Sequence, residues 1–385
     1  MEKDIYLMKY RSNNVLILAS LASSLVNFRG PLISALVAKG YQVHAAAPGL
    51  TVDTGTAEWM SGQGVICHDV PISRAGLNPL ADLFALFALT RLMRRVNPDA
   101  FLGYTIKPVI WGTLAAWLAG VPKRFALISG LGYAFTGQAQ GKRALIQRAA
   151  RWLYAQALRR SNLVFFQNPD DETEFMRLNL IRTGLPTHIV NGSGIDTKAF
   201  SPTPLPTGPT RFLLIARLLG DKGIREYAAA AEKLSALYPE IEFHLVGGHD
   251  PNPDAIRPDE IRAWHEAGHI IWHGELTDVR PSIAAVHVYV LPSYREGTPR
   301  TVLEAMAMGR PIITTDAPGC RETVIDGDNG FLVPVRNAQA LAEAMQRFLD
   351  EPALVCSMGH RSREIAERKY DVRKVNAVML KKMDL

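Results

Sequence analysis

A chain of 385 residues with 48% hydrophobic and 21% charged residues has the length of two ordinary domains, and its composition excludes disorder over most of that length. Its three cysteines, Cys67, Cys320 and Cys356, lack any paired spacing, which excludes a disulfide framework and a zinc site and fits a reducing compartment. The net charge of +6 is unevenly spread: residues 1–190 hold 20 Lys and Arg against 11 Asp and Glu, and the remainder holds 23 against 26.

Residues 1–13 carry both charge signs and lead into a strand-length apolar run, so no secretory signal is expected. That run, Asn14–Ala19, reads as a buried strand. Gln42–Ala47, Val65–Val70, Ala100–Gly103, Arg124–Ile128 and Leu163–Gln167 are further strand candidates. Helical patterns fill the intervals at Pro31–Lys39, Pro79–Val96 and Lys142–Arg160. Strand patterns restart after Ser201–Thr210, which has four prolines in ten residues and can be neither helix interior nor central strand. The second series runs through Arg211–Ala216, Ile241–Val246, His269–Trp272, Val286–Leu291 and Pro311–Thr315. Alternating strands and helices of this kind predict two parallel α/β domains. The expected division is 1–200, a linker at 201–210, a second domain at 211–365, and a terminal segment 366–385 that packs back on the first domain. No stretch approaches the roughly 18 apolar residues of a membrane span.

Loops at the carboxyl ends of such strands carry the chemistry. After Arg211–Ala216 come Arg217 and Lys222, with Gly220 and Gly223 permitting a tight turn: two cations suited to a diphosphate. After Val286–Leu291 comes EGTPRTVLE, with Glu296, Gly297 and Thr298 in a loop, Pro299 in the first turn of a helix, and Glu304 inside it. Carboxylates can accept from sugar hydroxyls while a helix N-terminus offers amides to phosphate. Asp326 and Asp328 have the DxD pattern of a metal-dependent transferase, but their GDNG context reads as a turn.

The order and spacing of Arg217–x4–Lys222, GGHDPN at 247–252, Glu296–x7–Glu304 and DGDNGFLV at 326–333 resemble glycosyltransferase family 4 across essentially the whole chain. The resemblance implies a GT-B fold, two Rossmann-like doubly wound domains facing across a cleft, and a retaining hexosyl transfer that uses neither a metal nor a cofactor. It implies that Arg217 and Lys222 hold the donor diphosphate, Glu304 the ribose, and Glu296 the transferred sugar. Arg217, Lys222 and Glu296 are thereby the candidate catalytic residues.

SRAGLNP (73–79), YTIKP (104–108), RFALISGLGYAFTG (124–137) and QNPDD (167–171) resemble the branch that extends sugars on undecaprenyl diphosphate in bacterial surface polysaccharide and glycan assembly. A UDP-sugar donor carrying N-acetylhexosamine or galactose and a polyprenyl-diphosphate-linked saccharide acceptor follow from that resemblance. Candidate acceptor residues are Ser23, Asn27, Arg29, Arg74, Lys107 and Gly130. Lys107 could equally be structural or face a membrane. Two departures from the family pattern stand out: the first loop, ASLASSLVNFR, has no glycine pair, and Ile106 precedes Lys107 where some relatives have histidine.

No acidic residue occurs between Asp99 and Asp170, an interval with nine Lys and Arg. Nucleic acid, a phosphorylated ligand or an anionic membrane would each suit it. Within it, Lys142, Arg143, Arg148, Arg151, Trp152 and Arg159 suit a helix lying on anionic lipid, beside an apolar face of Leu145, Ala149 and Leu153. The interval has no nucleic-acid-binding motif, so nucleic acid is not an expected partner. The expected location is cytoplasmic, peripheral on the inner face of a bacterial plasma membrane. A sugar-nucleotide epimerase and a non-catalytic nucleotide-sugar-binding subunit are the alternative readings.

Overall fold

A computed structural model describes residues 13–73, 78–131, 142–252 and 254–385, apart from the side chains of Lys142 and Arg143. Arg74, the 132–137 part of the glycine-rich string and those two side chains lie outside the described residues. Two compact units are present. One is the chain up to Val190 together with Asn376–Leu385, and the other is Asn191–Val375.

The first unit holds β1 (Asn14–Leu18), α1 (Ala22–Ala38), β2 (Gln42–Ala47), α2 (Thr54–Gly62), β3 (Ile66–Asp69), α3 (Pro79–Val96), β4 (Ala100–Tyr104), α4 (Thr113–Leu118), β5 (Lys123–Ile128), α5 (Lys142–Leu158), β6 (Leu163–Phe166), α6 (Pro169–Arg177) and β7 (Thr187–Ile189). Its sheet has the order β3-β2-β1-β4-β5-β6-β7, all strands parallel. Strands covered on both faces read as near-continuous apolar runs, which is why β1, β4 and β6 stand out in the sequence. One face carries Leu16, Leu18, Phe101, Ile128 and Phe166, covered by α3, α4 and α5. The other carries Val15, Ile17, Leu102 and Phe165, covered by α1 and by Met379, Leu380 and Met383 of the C-terminal helix.

Helix α1 begins nine residues before the expected start at Pro31. Pro31 is accommodated inside it, so Ser23, Asn27 and Arg29 belong to a helix and not to a loop. Only Ala19, Ser20 and Leu21 separate it from β1.

The second unit holds β8 (Arg211–Ile215), α7 (Ile224–Ser235), β9 (Glu242–Val246), α8 (Pro258–Glu266), β10 (Ile271–Trp272), α9 (Arg280–Ala284), β11 (Val288–Leu291), α10 (Arg300–Ala307), β12 (Ile312–Thr315), β13 (Gly330–Val333), α11 (Ala338–Asp350) and α12 (Ala353–Ile365). The sheet order is β10-β9-β8-β11-β12-β13, again parallel. Helix α13 (Val372–Met383) runs across the division between the units.

The Pro-rich segment Ser201–Thr210 lies within the second unit, ten residues beyond the division. The fully buried Arg310 holds it there. Its guanidinium donates to the carbonyls of Thr203 at 3.0 Å and Pro204 at 3.2 Å, and also to those of Ile283, Ala284 and Met308. Burial among neutral acceptors lowers the Arg310 pKa to about 10.

Candidate functional site

Each sheet reverses its winding once, between β1 and β4 and between β8 and β11. Open α/β sheets bind ligands beyond the carboxyl ends of the strands at such reversals. In the second unit the chain leaves β8 through Arg217 and makes a 3₁₀ turn at Gly220–Lys222. Gly223 follows at φ +71°, and a Cβ there would sit 2.1 Å from the Pro292 carbonyl oxygen. Only glycine lets this turn lie directly against the loop after β11.

Lys222 reaches across that junction and donates from Nζ to Glu296 Oε1 at 2.6 Å. Both side chains are largely withdrawn from solvent. Burial opposes the charge on Lys222, but Glu296 and Asp221 outweigh it and hold the ammonium pKa above its ordinary value. The same burial raises the Asp221 carboxyl, against the pull of Lys222.

Backbone contacts fix the Glu296 loop from several sides. The Glu296 amide donates to Pro318 O at 2.9 Å. Gly319 has φ +80°, and a Cβ on it would sit 2.1 Å from the Glu296 carbonyl oxygen. The Tyr294 amide donates to Asp221 O at 2.8 Å, and the Tyr294 hydroxyl donates to Glu226 Oε1 at 2.6 Å. Burial, helped by Glu226, pushes the Tyr294 phenol up to about 12. Thr298 rests on Gly192, where a Cβ would come within 2.9 Å of its own.

Pro299 caps α10, which carries Glu304 inward on its second turn. Glu304 is 6% exposed and accepts from Arg300 Nε at 2.9 Å. Burial raises its carboxyl pKa despite that partner. Tyr289 and Thr301 both donate to the carbonyl of Ile215, tying β11 and α10 to the last residue of β8. Arg217 is exposed and turns to Asp250, donating from Nη1 at 2.7 Å. The sequence reading overlooked Asp221, Tyr294, Glu226 and Asp250. Asp221 adjoins Lys222 and Asp250 lies in the GGHDPN string, so both were legible there, but nothing local marks Tyr294 and Glu226. In the DGDNG turn, Asp328 accepts from Arg361 and Asp326 from the Leu332 amide.

At the reversal in the first unit, Ser20 and Thr105 share a hydrogen bond at 3.0 Å. Thr105 has φ +67°, a strained conformation for a β-branched residue and one that clusters at functional sites. The Ser24 and Tyr104 hydroxyls lie 2.8 Å apart, and the buried Arg29 guanidinium stacks 5.2 Å from the Tyr104 ring centroid. Ser23 is half-buried and Asn27 exposed, one turn apart on α1. Gly130 follows β5 at φ +131°. Lys107 is turned inward: it is 8% exposed and donates to Asp82 Oδ1 at 2.8 Å and Ser73 Oγ at 2.6 Å.

Helix α5 buries Ala150, Tyr154, Ala157 and Leu158 against the sheet. The expected apolar face of Leu145, Ala149 and Leu153 is therefore not its core-facing side: Leu145 and Ala149 point outward. Arg148, Trp152 and Arg159 are exposed and Arg151 half-buried.

The architecture and the β8/β11 junction define a two-domain GT-B transferase. Residues 209–351 match the family described as glycosyl transferases group 1, and residues 14–168 match glycosyl transferase 4-like. The N,N'-diacetylbacillosaminyl-diphospho-undecaprenol alpha-1,3-N-acetylgalactosaminyltransferase of Campylobacter jejuni is 30% identical over 88% of this chain and 89% of its own length. The UDP-Gal:alpha-D-GlcNAc-diphosphoundecaprenol alpha-1,3-galactosyltransferase of Escherichia coli is 25% identical over 74% of this chain and 75% of its own. The chain belongs to this glycosyltransferase family. Its fold matches sucrose-phosphate synthase from Thermosynechococcus elongatus (TM-score 0.77, 20% identity, 96% and 98% of the two chains). It also matches Anabaena HepE in complex with UDP (TM-score 0.76, 18% identity, 96% and 99%). Among the described residues no helix is long and apolar enough to cross a membrane.

Proposed function

We propose that this glycosyltransferase moves an N-acetylhexosamine or galactose from a UDP-sugar to a polyprenyl-diphosphate-linked saccharide in surface polysaccharide or glycan assembly, with retention of anomeric configuration. The observation that carries the reading is the Lys222–Glu296 pair at the β8/β11 junction with Glu304 buried on the adjoining helix. The names of the two relatives above, one using UDP-Gal and both acting on undecaprenyl-diphosphate-linked sugars, support the choice of donor and acceptor.

In this reading Lys222 and Arg217 exchange their carboxylate partners for the donor diphosphate, and Glu296, released from Lys222, turns to the hydroxyls of the sugar. Glu304 accepts from the ribose hydroxyls. The amides of Gly297 and Thr298, before the Pro299 cap, lie near the phosphates. The C1–O bond to the β-phosphate breaks and C1 bonds to the acceptor oxygen on the same face. The acceptor proton passes to the departing phosphate, so no enzymic nucleophile is required. Charge on that phosphate is met by Lys222 and Arg217, without a metal.

Ser23, Asn27, Arg29, Arg74, Lys107 and Gly130 are proposed for the acceptor side. Arg29 and Lys107 act there through their buried partners. The basic stretch in and just after α5, Lys142, Arg143, Arg148, Arg151, Trp152 and Arg159, is proposed to meet anionic lipid at the inner membrane face. The test offers a panel of nucleotide-sugars with a polyprenyl-diphosphate saccharide and identifies products by mass and anomeric configuration. Donor consumption without acceptor would favour an epimerase, and an inverted product would remove the retaining mechanism.

A further inference from the structure

Helix α3 leaves an apolar stripe in solvent. Leu80 is 81% exposed, Leu83 61%, Phe84 62% and Phe87 65%. These positions recur at i, i+3, i+4 and i+7, so they form one continuous face. The opposite face, with Ala85, Leu89, Leu92 and Met93, already packs on the sheet. The stripe is therefore surplus to folding, and four large side chains together exceed the scattered exposed hydrophobics of an ordinary surface.

Further along the same helix face the residues change character. Arg91, Arg94 and Arg95 are all exposed. The single carboxylate of α3, Asp82, is 5% exposed and bound to Lys107. The outward face is thus apolar over its first half and cationic over its second, with no acid to interrupt it. Between α3 and β3 lies a cleft of about 670 Å³ lined by Arg91, Arg94, Arg95, Cys67, His68 and Asp69 among others. The Asp69 carboxylate is occupied by the amide and hydroxyl of Thr51. The neighbouring α4 continues the surface with the exposed Trp117; Arg94 of α3 donates to Leu118 O of α4 at 3.4 Å, and Arg160, just after α5, lies 4.4 Å above the Trp117 ring.

We infer that α3 is a membrane-seating helix whose apolar half enters an anionic bilayer while Arg91, Arg94 and Arg95 lie among the headgroups, with a lipid phosphate in the cleft beside them. This deepens the proposed lipid-linked reaction and rests on it for its purpose. The eight residues from Leu80 to Phe87 make about two turns, so the four apolar side chains form one patch on a helix that can lie in the interface with that face in the headgroup–acyl boundary. Charge complementarity selects the occupant: three arginines at the rim suit phosphatidylglycerol, and a second copy of this basic face would repel it.

The full-length protein is mixed with phosphatidylcholine vesicles containing or lacking phosphatidylglycerol, and bound protein is measured by sedimentation. Phe84→Glu/Phe87→Glu is expected to weaken binding at least about tenfold. Arg91→Glu/Arg95→Glu is expected to weaken the dependence on phosphatidylglycerol several-fold, the basic residues of α5 keeping the remainder. Both variants should keep the melting temperature and the transfer of sugar to a short-chain, water-soluble acceptor, and both should lose transfer to a vesicle-embedded one. Phe84→Ala/Phe87→Ala, which adds no charge, should show the same direction with a smaller loss. Unchanged vesicle binding in the Phe84/Phe87 variants overturns the inference. So does a wild-type dimer that these substitutions split without any vesicle binding, which would make the face an interface between copies. Wild-type protein that binds vesicles yet transfers no sugar to either acceptor leaves the seating helix standing and removes the proposed reaction instead.

Discussion

Glu304→Gln should make the protein more stable and a poorer binder of its donor. The carboxylate is 6% exposed, and burial raises its pKa even with Arg300 Nε at 2.9 Å. A raised carboxyl pKa means that the folded state disfavours the ionised form relative to the unfolded chain. That group's contribution to stability is fully present below the ordinary value of 4.5 and is lost as pH rises through the higher folded value. At neutral pH the amide, uncharged and of the same shape, escapes this loss, and it still offers an oxygen to Arg300. The melting temperature should therefore rise in the variant. The difference from wild type should shrink as the buffer is acidified toward the unfolded pKa. Donor binding should move the other way. Hydrogen bonds to a charged partner exceed neutral ones by about 1–1.5 kcal/mol, so the exchange should weaken UDP binding roughly five- to tenfold. Thermal melts with and without UDP between acid and neutral pH, together with calorimetric titration, measure both effects. A variant that melts lower than wild type at neutral pH, or binds UDP equally well, refutes the account of Glu304.

Three further outcomes are expected. Lys222→Met should lower kcat by about a hundred- to a thousandfold, the usual effect of removing one group that stabilises leaving-group charge. Because the Lys222 pKa is raised, the pair's support for the fold is fully present below pH 10.5 and is lost as pH rises through the folded value, which pH-dependent urea melts of wild type and variant will show. Lys107→Met should destabilise the first unit by about 3–5 kcal/mol by stranding Asp82, and the double variant with Asp82→Leu should recover most of it. Urea unfolding of the four proteins measures this, and equal losses in single and double variants would contradict a buried pair. Gly319→Ala places a methyl 2.1 Å from the Glu296 carbonyl oxygen at a positive φ and should cost about 1–3 kcal/mol while raising KM for the donor, measured by melts and initial rates.

What the sequence made legible follows from how each signal arises. The central strands β1, β4, β8 and β11 are buried on both sides, so β4 and β11 are apolar throughout and β1 and β8 are apolar after their first residue. The edge strand β7, with sequence THI, is too short and too mixed to register as a strand, and β13, GFLV, is hidden by the DGDNG turn that runs directly into it. Glu296 and Glu304 are conspicuous because their spacing survives in a linear string. The Lys222 partner of Glu296 comes from another loop, whereas Glu304 pairs with Arg300 inside the same string, and Glu226 and Asp250 reach Tyr294 and Arg217 only through the fold. Lys107 looks like a ligand-seeking cation in sequence because charge alone does not say which way a side chain points. Helix α3 poses the same ambiguity for apolar residues. Leu80, Phe84 and Phe87 have a helical period, as do Ala85, Leu89, Leu92 and Met93, and only the position of the sheet decides which set is inside.

The two glycines that press one backbone on another, Gly223 on Pro292 and Gly319 on Glu296, have a thermodynamic consequence. Loops in such direct contact have little conformational freedom to surrender when a ligand arrives, so ordering entropy takes a small part in donor recognition. On the proposed reading of the site, discrimination between sugars differing at one hydroxyl then rests on enthalpic matching at Glu296 and its neighbours. A change of sugar preference should accordingly require altered side chains on this fixed platform, not a more pliable loop.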